Sequence, residues 1–240
     1  MNIKIGIILG SGLNEFEKEL TFPEVLCEDN SSFHRLKVIS GKINETEVVI
    51  FSGRRHLYEG YSVNEVLANV TLAKELNVNF LIITNAAGGI NRDFNVSDIM
   101  LITSHYNFTG KRIPVRNNQG FYDRKLNEMI LKAASDKRIM LKSGSYCCAS
   151  GPMYETKSEI RYFSKSGIDA VGMSTVPEIL TARNLGIKTI AFSCITNLLS
   201  ENSSGITNHE EVVEAGKNAY SNFSGILKLI VSESSVILNR

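Results

Sequence analysis

Short apolar runs rich in β-branched residues alternate with helix-start signals along this whole chain, and that alternation constrains the fold most. Lys4–Leu9 is a compact apolar run ending at Gly10-Ser11-Gly12. Lys37–Ile39 and Val48–Phe51 read as strands on either side of a turn at Gly41–Asn44. Ser62–Leu76 has helical spacing: Val63, Val66, Leu67, Val70 and Leu72 fall mainly on one face, and Ser62 with Glu65 forms a capping box. Phe80–Ile83 reads as a buried strand stopped by Asn85-Ala86-Ala87-Gly88-Gly89, and Ile99–Thr103 as another. Tyr122–Ser135 reads as a helix and Lys142–Ala149 as a strand. Capping boxes at Thr156/Glu159, Thr175/Glu178 and Asn208/Glu211 open three later helices, the second with Pro177 in its first turn. Ile187–Ile195 is a strand between the second and third, and the last helix runs from about His209 toward Glu233. The pattern predicts an α/β fold with a mostly parallel sheet covered on both faces.

The 240 residues carry no linker, repeat or shift of composition, which predicts a single domain over 1–240. The net charge of +1 gives no support for a nucleic-acid or membrane-surface partner. Cys27, Cys147, Cys148 and Cys194 include no Cys-x-x-Cys pair and read as free thiols in a reducing compartment. The first ten residues are too short for a signal sequence with a cleavage site. No run approaches the ~18 apolar residues that span a bilayer. A cytoplasmic protein is expected. His34, His56, His105 and His209 show no paired metal-ligand spacing, so no metal is expected.

Ligands of such sheets gather at the carboxyl ends of the strands, where the chemically able residues of this sequence also cluster. Gly10-Ser11-Gly12 can bring N–H groups and a hydroxyl to an anion, but a tight turn explains it as readily, and Glu15 stands where a dinucleotide fingerprint needs a third glycine. Gly53–Tyr61 packs two arginines, a histidine, a glutamate and two tyrosines between glycines. There Arg54 can clamp an oxyanion, His56 can donate to it, and Glu59 can hold the histidine ring. Asn85–Gly89 offers small residues over which a ligand can approach the main chain, or simply close strand–helix packing. Ser174 sits just before a capped helix, a placement that suits phosphate or a plain cap. Tyr154 can stack on a flat ring, Glu155 can accept from a ring N–H, and Asn197 can donate to a ring acceptor. Alone, Asn197 would be a turn residue, His209 a first-turn surface histidine and Met173 core.

Taken together and in order, "GSGL", "GRRHLYEGY", "TNAAGG", "GPMYET", "AVGMSTVPE", "ITN" and "NHEEV" resemble the trimeric purine nucleoside phosphorylase family, which includes methylthioadenosine phosphorylases. The resemblance covers nearly the whole chain. It implies a three-layer α/β/α sandwich around a mixed, partly barrel-like sheet, and a homotrimer. It assigns phosphate to Ser11, Arg54, His56, the main chain at Ala86 and Ser174. Ribose falls to Tyr58, Met173 and His209, and the purine to Tyr154, Glu155, Val171 and Asn197. Asn197, Glu155, His56 and His209 would be the catalytic set. Inorganic phosphate is a co-substrate and no cofactor is implied. His34 stands at the spacing of a family histidine near the phosphate.

An amide at 197 implies 6-oxopurine nucleosides such as inosine and guanosine, since related 6-aminopurine enzymes carry Asp there. Methylthioadenosine or xanthosine phosphorolysis, or purine binding without catalysis, are the alternatives. A nicotinamide-dependent dehydrogenase would rest on Gly10-Ser11-Gly12 alone. Two departures stand out. The chain begins almost at its first strand, and the stretch from Gly110 to Tyr122 is short where many relatives carry a phenylalanine that reaches a neighbouring site. Phe121 and Phe108 are the aromatic residues nearest that role.

Overall fold

A computed structural model describes residues 3–30, 36–115, 120–200 and 209–238, with the side chains of 209–213 and 237–238 outside the description. Strand β1 (Lys4–Ile8) ends in the glycine turn, and a 3-10 turn follows at Asn14–Glu19. Next come β2 (Thr21–Asp29), β3 (Leu36–Ile43) and β4 (Thr46–Ser52), then the short helices α1 (Val63–Val66) and α2 (Ala68–Glu75). The chain continues through β5 (Phe80–Gly89), β6 (Ile99–Phe108), α3 (Arg124–Asp136), β7 (Lys142–Ala149), α4 (Lys157–Lys165) and β8 (Ala170–Gly172). It ends with α5 (Val176–Asn184), β9 (Lys188–Leu198), α6 (His209–Ser232) and α7 (Ser234–Leu238).

The nine strands form one sheet in the order β2-β3-β4-β1-β5-β8-β7-β6-β9, and β9 pairs back onto β5. That last pairing closes β5, β8, β7, β6 and β9 into a barrel, while β2, β3, β4 and β1 extend from it as an open wing. Successive side chains of a strand point to opposite faces, so the central strands feed two cores. Ile5, Ile7, Ile50 and Ile82 pack with Leu126 and Ile130 of α3 and with Phe223 and Ile230 of α6. On the other face Ile8, Val49, Phe51 and Leu81 pack with Val70 of α2 and Ile179 of α5. These are the three layers the resemblance implies.

The sheet is mixed rather than mostly parallel, because β2–β3, β3–β4, β5–β8 and β6–β9 are antiparallel. Two strands escape sequence reading. All but the last residue of β2 is exposed, and it contains Pro23, so it has no apolar alternation; proline is tolerated because the strand is an edge. Strand β8 is only three residues long. Strand β5 also runs past Ile83 to Gly89, since β8 and β9 supply partners on both sides of its last residues.

The capping boxes of Ser62 with Glu65 and of Thr156 with Glu159 are formed. The helix expected over 62–76 instead breaks at Leu67, whose φ of −89° and ψ of 2° leave the helical region. The box at Asn208 and Glu211 lies outside the described residues. Among those described, no helix is long and apolar enough to cross a membrane.

Candidate active site

One cavity opens where the strand ends of the wing and the barrel meet. Ser11, Arg54, His56, Asn85, Ala86 and Ser174 line one part of it. Local packing explains how these segments come so close. A Cβ on Gly10 would lie 2.7 Å from Asn85 Cα and 3.0 Å from Thr84 O, so only glycine lets the β1 turn rest on the β5 backbone. Gly10 N–H donates to Thr84 Oγ1 at 2.8 Å across the same contact.

Arg54 follows β4 and is 5% exposed. Its Nε donates to Glu178 at 3.0 Å and its Nη1 to Ser174 Oγ at 3.2 Å. Nη2 is buried and has no partner among the described residues. A buried guanidinium face left this way suits an oxyanion, for which the planar fork is shaped. His56 caps the 3-10 turn Leu57–Glu59, and Glu59 holds it twice, through the backbone N–H at 2.8 Å and at ring Nδ1 at 3.4 Å. Its ring stacks on Tyr58 with centroids 4.9 Å apart.

Tyr58, Tyr154, Glu155, Val171, Met173 and Asn197 also line the cavity. Gly88 of β5 pairs with Val171 of β8 on one side and with Asn197 of β9 on the other. Three strands therefore lie abreast with no side chain in the middle. The β5–β9 register slips by one residue at this point, from Ala87↔Ile195 to Gly88↔Asn197. That bulge at Thr196 re-aims Asn197, as bulges beside functional sites commonly do. Thr196 Oγ1 donates to Asn197 Oδ1 at 3.1 Å, which fixes the amide oxygen and turns the NH2 elsewhere.

Burial sets the electrostatics of these side chains. It raises the Glu155 carboxyl above the ordinary glutamate range. It pushes Tyr58 up to about 12, helped by the nearby Glu59 charge, so this hydroxyl keeps its proton at neutral pH. Cys147 is likewise pushed up to about 12, by burial first and then by Glu155, and stays an inert thiol.

Every site residue read from the sequence lines this cavity except His209, which opens α6 but whose side chain lies outside the described residues, as does His34. Phe108 and Phe121 do not line it. Phe108 stacks on Phe163 at 5.9 Å, and Phe121 meets His105 edge-on at 5.5 Å. Sequence reading missed Glu178 as a partner of Arg54, and Thr175 as a strained corner at φ +80°. A glutamate within the otherwise apolar run Val176–Leu180 was the available signal for the first.

Residues 4–232 match the family model described as the phosphorylase superfamily. The chain is 36% identical to purine nucleoside phosphorylase 1 of Bacillus subtilis, over 96% of this chain and 92% of that one. It superposes on a purine nucleoside phosphorylase of Schistosoma mansoni solved with adenosine at a TM-score of 0.87, with 29% identity, covering 97% of this chain and 91% of the other. A structure of the Schistosoma mansoni enzyme with inosine gives a TM-score of 0.82 and 30% identity, covering 94% and 90%.

Proposed function

The chain belongs to the phosphorylase superfamily, among the purine nucleoside phosphorylases, and on that premise we propose that it cleaves 6-oxopurine nucleosides reversibly with inorganic phosphate. The products are the free base and ribose or deoxyribose 1-phosphate. The observation that carries this reading is one cavity lined both by Arg54, whose Nη2 has no partner among the described residues, with Ser174, and by Glu155 with Asn197.

The C1′–N9 bond breaks early, leaving an oxocarbenium-like sugar and a purine carrying negative charge, and a catalyst gains only by stabilising both. Phosphate held by Ser11, Arg54, His56, the Ala86 main chain and Ser174 lies beneath the sugar, first as counter-ion and then as nucleophile at C1′. His56, held at Nδ1 by Glu59, donates to that phosphate when its ring is protonated. Tyr58, Met173 and His209 hold the ribose. Asn197 donates its amide N–H to N7 of the departing base, Glu155 accepts N1–H, and Tyr154 and Val171 hold the ring. No cofactor or metal enters these steps.

Asn197 also favours a 6-oxopurine. Its NH2 donates to N7 and approaches O6, whereas a 6-amino group would bring donor against donor. A panel of inosine, guanosine, adenosine, xanthosine and methylthioadenosine tests this, with turnover of inosine and guanosine expected to dominate. Asn197→Ala should cost about 10²–10³ in kcat on inosine. Dominant turnover of methylthioadenosine, or an Asn197→Ala variant as fast as wild type, would refute the assignment.

The four cysteines are unpaired, which fits a reducing compartment such as the cytoplasm. We infer a homotrimer, for which the exposed aromatic side chains Tyr106, Phe108 and Tyr162 offer a contact surface. Sedimentation at three times the chain mass of 26.6 kDa is expected, and a single-chain mass would exclude it.

A further inference from the structure

Glu178 is 1% exposed in the first turn of α5, among Val176, Pro177, Ile179 and Leu180. A carboxylate in such surroundings is costly unless its oxygens are engaged. One oxygen accepts from Arg54 Nε at 3.0 Å, and the other accepts the Thr175 backbone N–H at 3.0 Å. The two donors come from elements far apart in the chain, Arg54 from the close of β4 and Thr175 from the start of α5.

Thr175 sits at φ +80° and ψ −49°, a conformation that β-branched residues rarely adopt and that persists only where the surroundings enforce it. Glu178 holds its N–H, and Asn85 Nδ2 donates to its Oγ1 at 2.9 Å. The corner so fixed carries Ser174, whose hydroxyl takes Arg54 Nη1. With Nε and Nη1 each engaged, Nη2 is left without a partner among the described residues.

We propose that Glu178 is a positioning residue for phosphate, locking Arg54 and the Ser174–Thr175 corner into the single arrangement in which both meet the same anion. This deepens the phosphorolysis reading and rests on it. The charge and the two-sided acceptor geometry are both required. In E178Q the side chain has one acceptor oxygen, and its NH2 must face either Arg54 Nε–H or Thr175 N–H, donor against donor. The guanidinium is then free to turn about its last torsions, and Nη2 loses its aim.

The test is steady-state kinetics on inosine with wild type, E178Q and E178D. Phosphate is titrated at saturating inosine and inosine at saturating phosphate. The KM for phosphate should rise about 10- to 100-fold in E178Q and by less in E178D, which keeps the charge. The KM for inosine and kcat at saturating phosphate should stay within about threefold of wild type. A merely structural residue would move both KM values together or lower kcat. Unchanged phosphate KM in the variants, or parallel rises in both KM values, overturns the proposal. Should E178Q fail to fold, E178D decides by the same criterion, with a selective rise in phosphate KM of about threefold or more expected. Failure of the phosphorolysis reading shows separately, in wild type, as inosine cleavage that does not respond to phosphate.

Discussion

Single side chains in this site are legible through what burial does to them. Glu155 is mostly covered, and the loss of water around its carboxylate raises its pKa above the unfolded value. The sign of the consequence is fixed. The folded state binds this proton more tightly than the unfolded chain, so its contribution to stability is present at low pH and is lost as pH rises through the folded pKa. At neutral pH the ionised carboxylate is therefore a burden on the fold, one that the proposed acceptance of a base N–H would explain. Glu155→Gln should melt higher than wild type at pH 7, with the gap closing below about pH 4, while kcat/KM on inosine falls by about 10²–10³. The acid limb of wild-type kcat/KM should lie above the ordinary glutamate range. Thermal melts across pH together with a pH–rate profile check both, and a variant that is less stable at pH 7 yet fully active would contradict the assignment.

At the scale of elements, the site depends on how closely strand ends approach one another. A methyl on Gly10 would meet the Asn85 backbone rather than a flexible side chain, so β1 and β5 would have to part. Gly10→Ala should cost about 1–3 kcal/mol in urea unfolding and raise the KM for phosphate, since Ser11 and Asn85 move with it. Stability within about 0.5 kcal/mol of wild type, with unchanged kinetics, would show that the contact is slack. The same contacts mark how far the sequence could be read. Lys142–Ala149 is a strand between the residues expected, and the Ser62 and Thr156 capping boxes form as written, because those signals are local. The β5 extension, the three-residue β8 and the Thr196 bulge depend on partners far along the chain, so periodicity could not disclose them. The site residues were legible as a set of motifs. The clamp between Arg54 and Glu178 spans 124 positions and left only an oddly placed glutamate as its trace.

Over the whole molecule, the wing and the barrel share β5, which pairs with β1 along its first half and with β8 at its end. That arrangement brings Ser11 and Arg54, which follow wing strands, to one cavity with Ala86, Ser174 and Asn197 from barrel strands and their ends, and the reaction proposed needs both groups at once. If phosphate is the nucleophile, the sugar product must carry it. Inosine incubated with and without phosphate, with the products read by phosphorus NMR and hypoxanthine absorbance, measures this directly. The account predicts hypoxanthine release only with phosphate present, and one ribose 1-phosphate for each base released. Equal release without phosphate, giving free ribose, would make the enzyme a hydrolase and contradict the role given to Arg54 and Ser174.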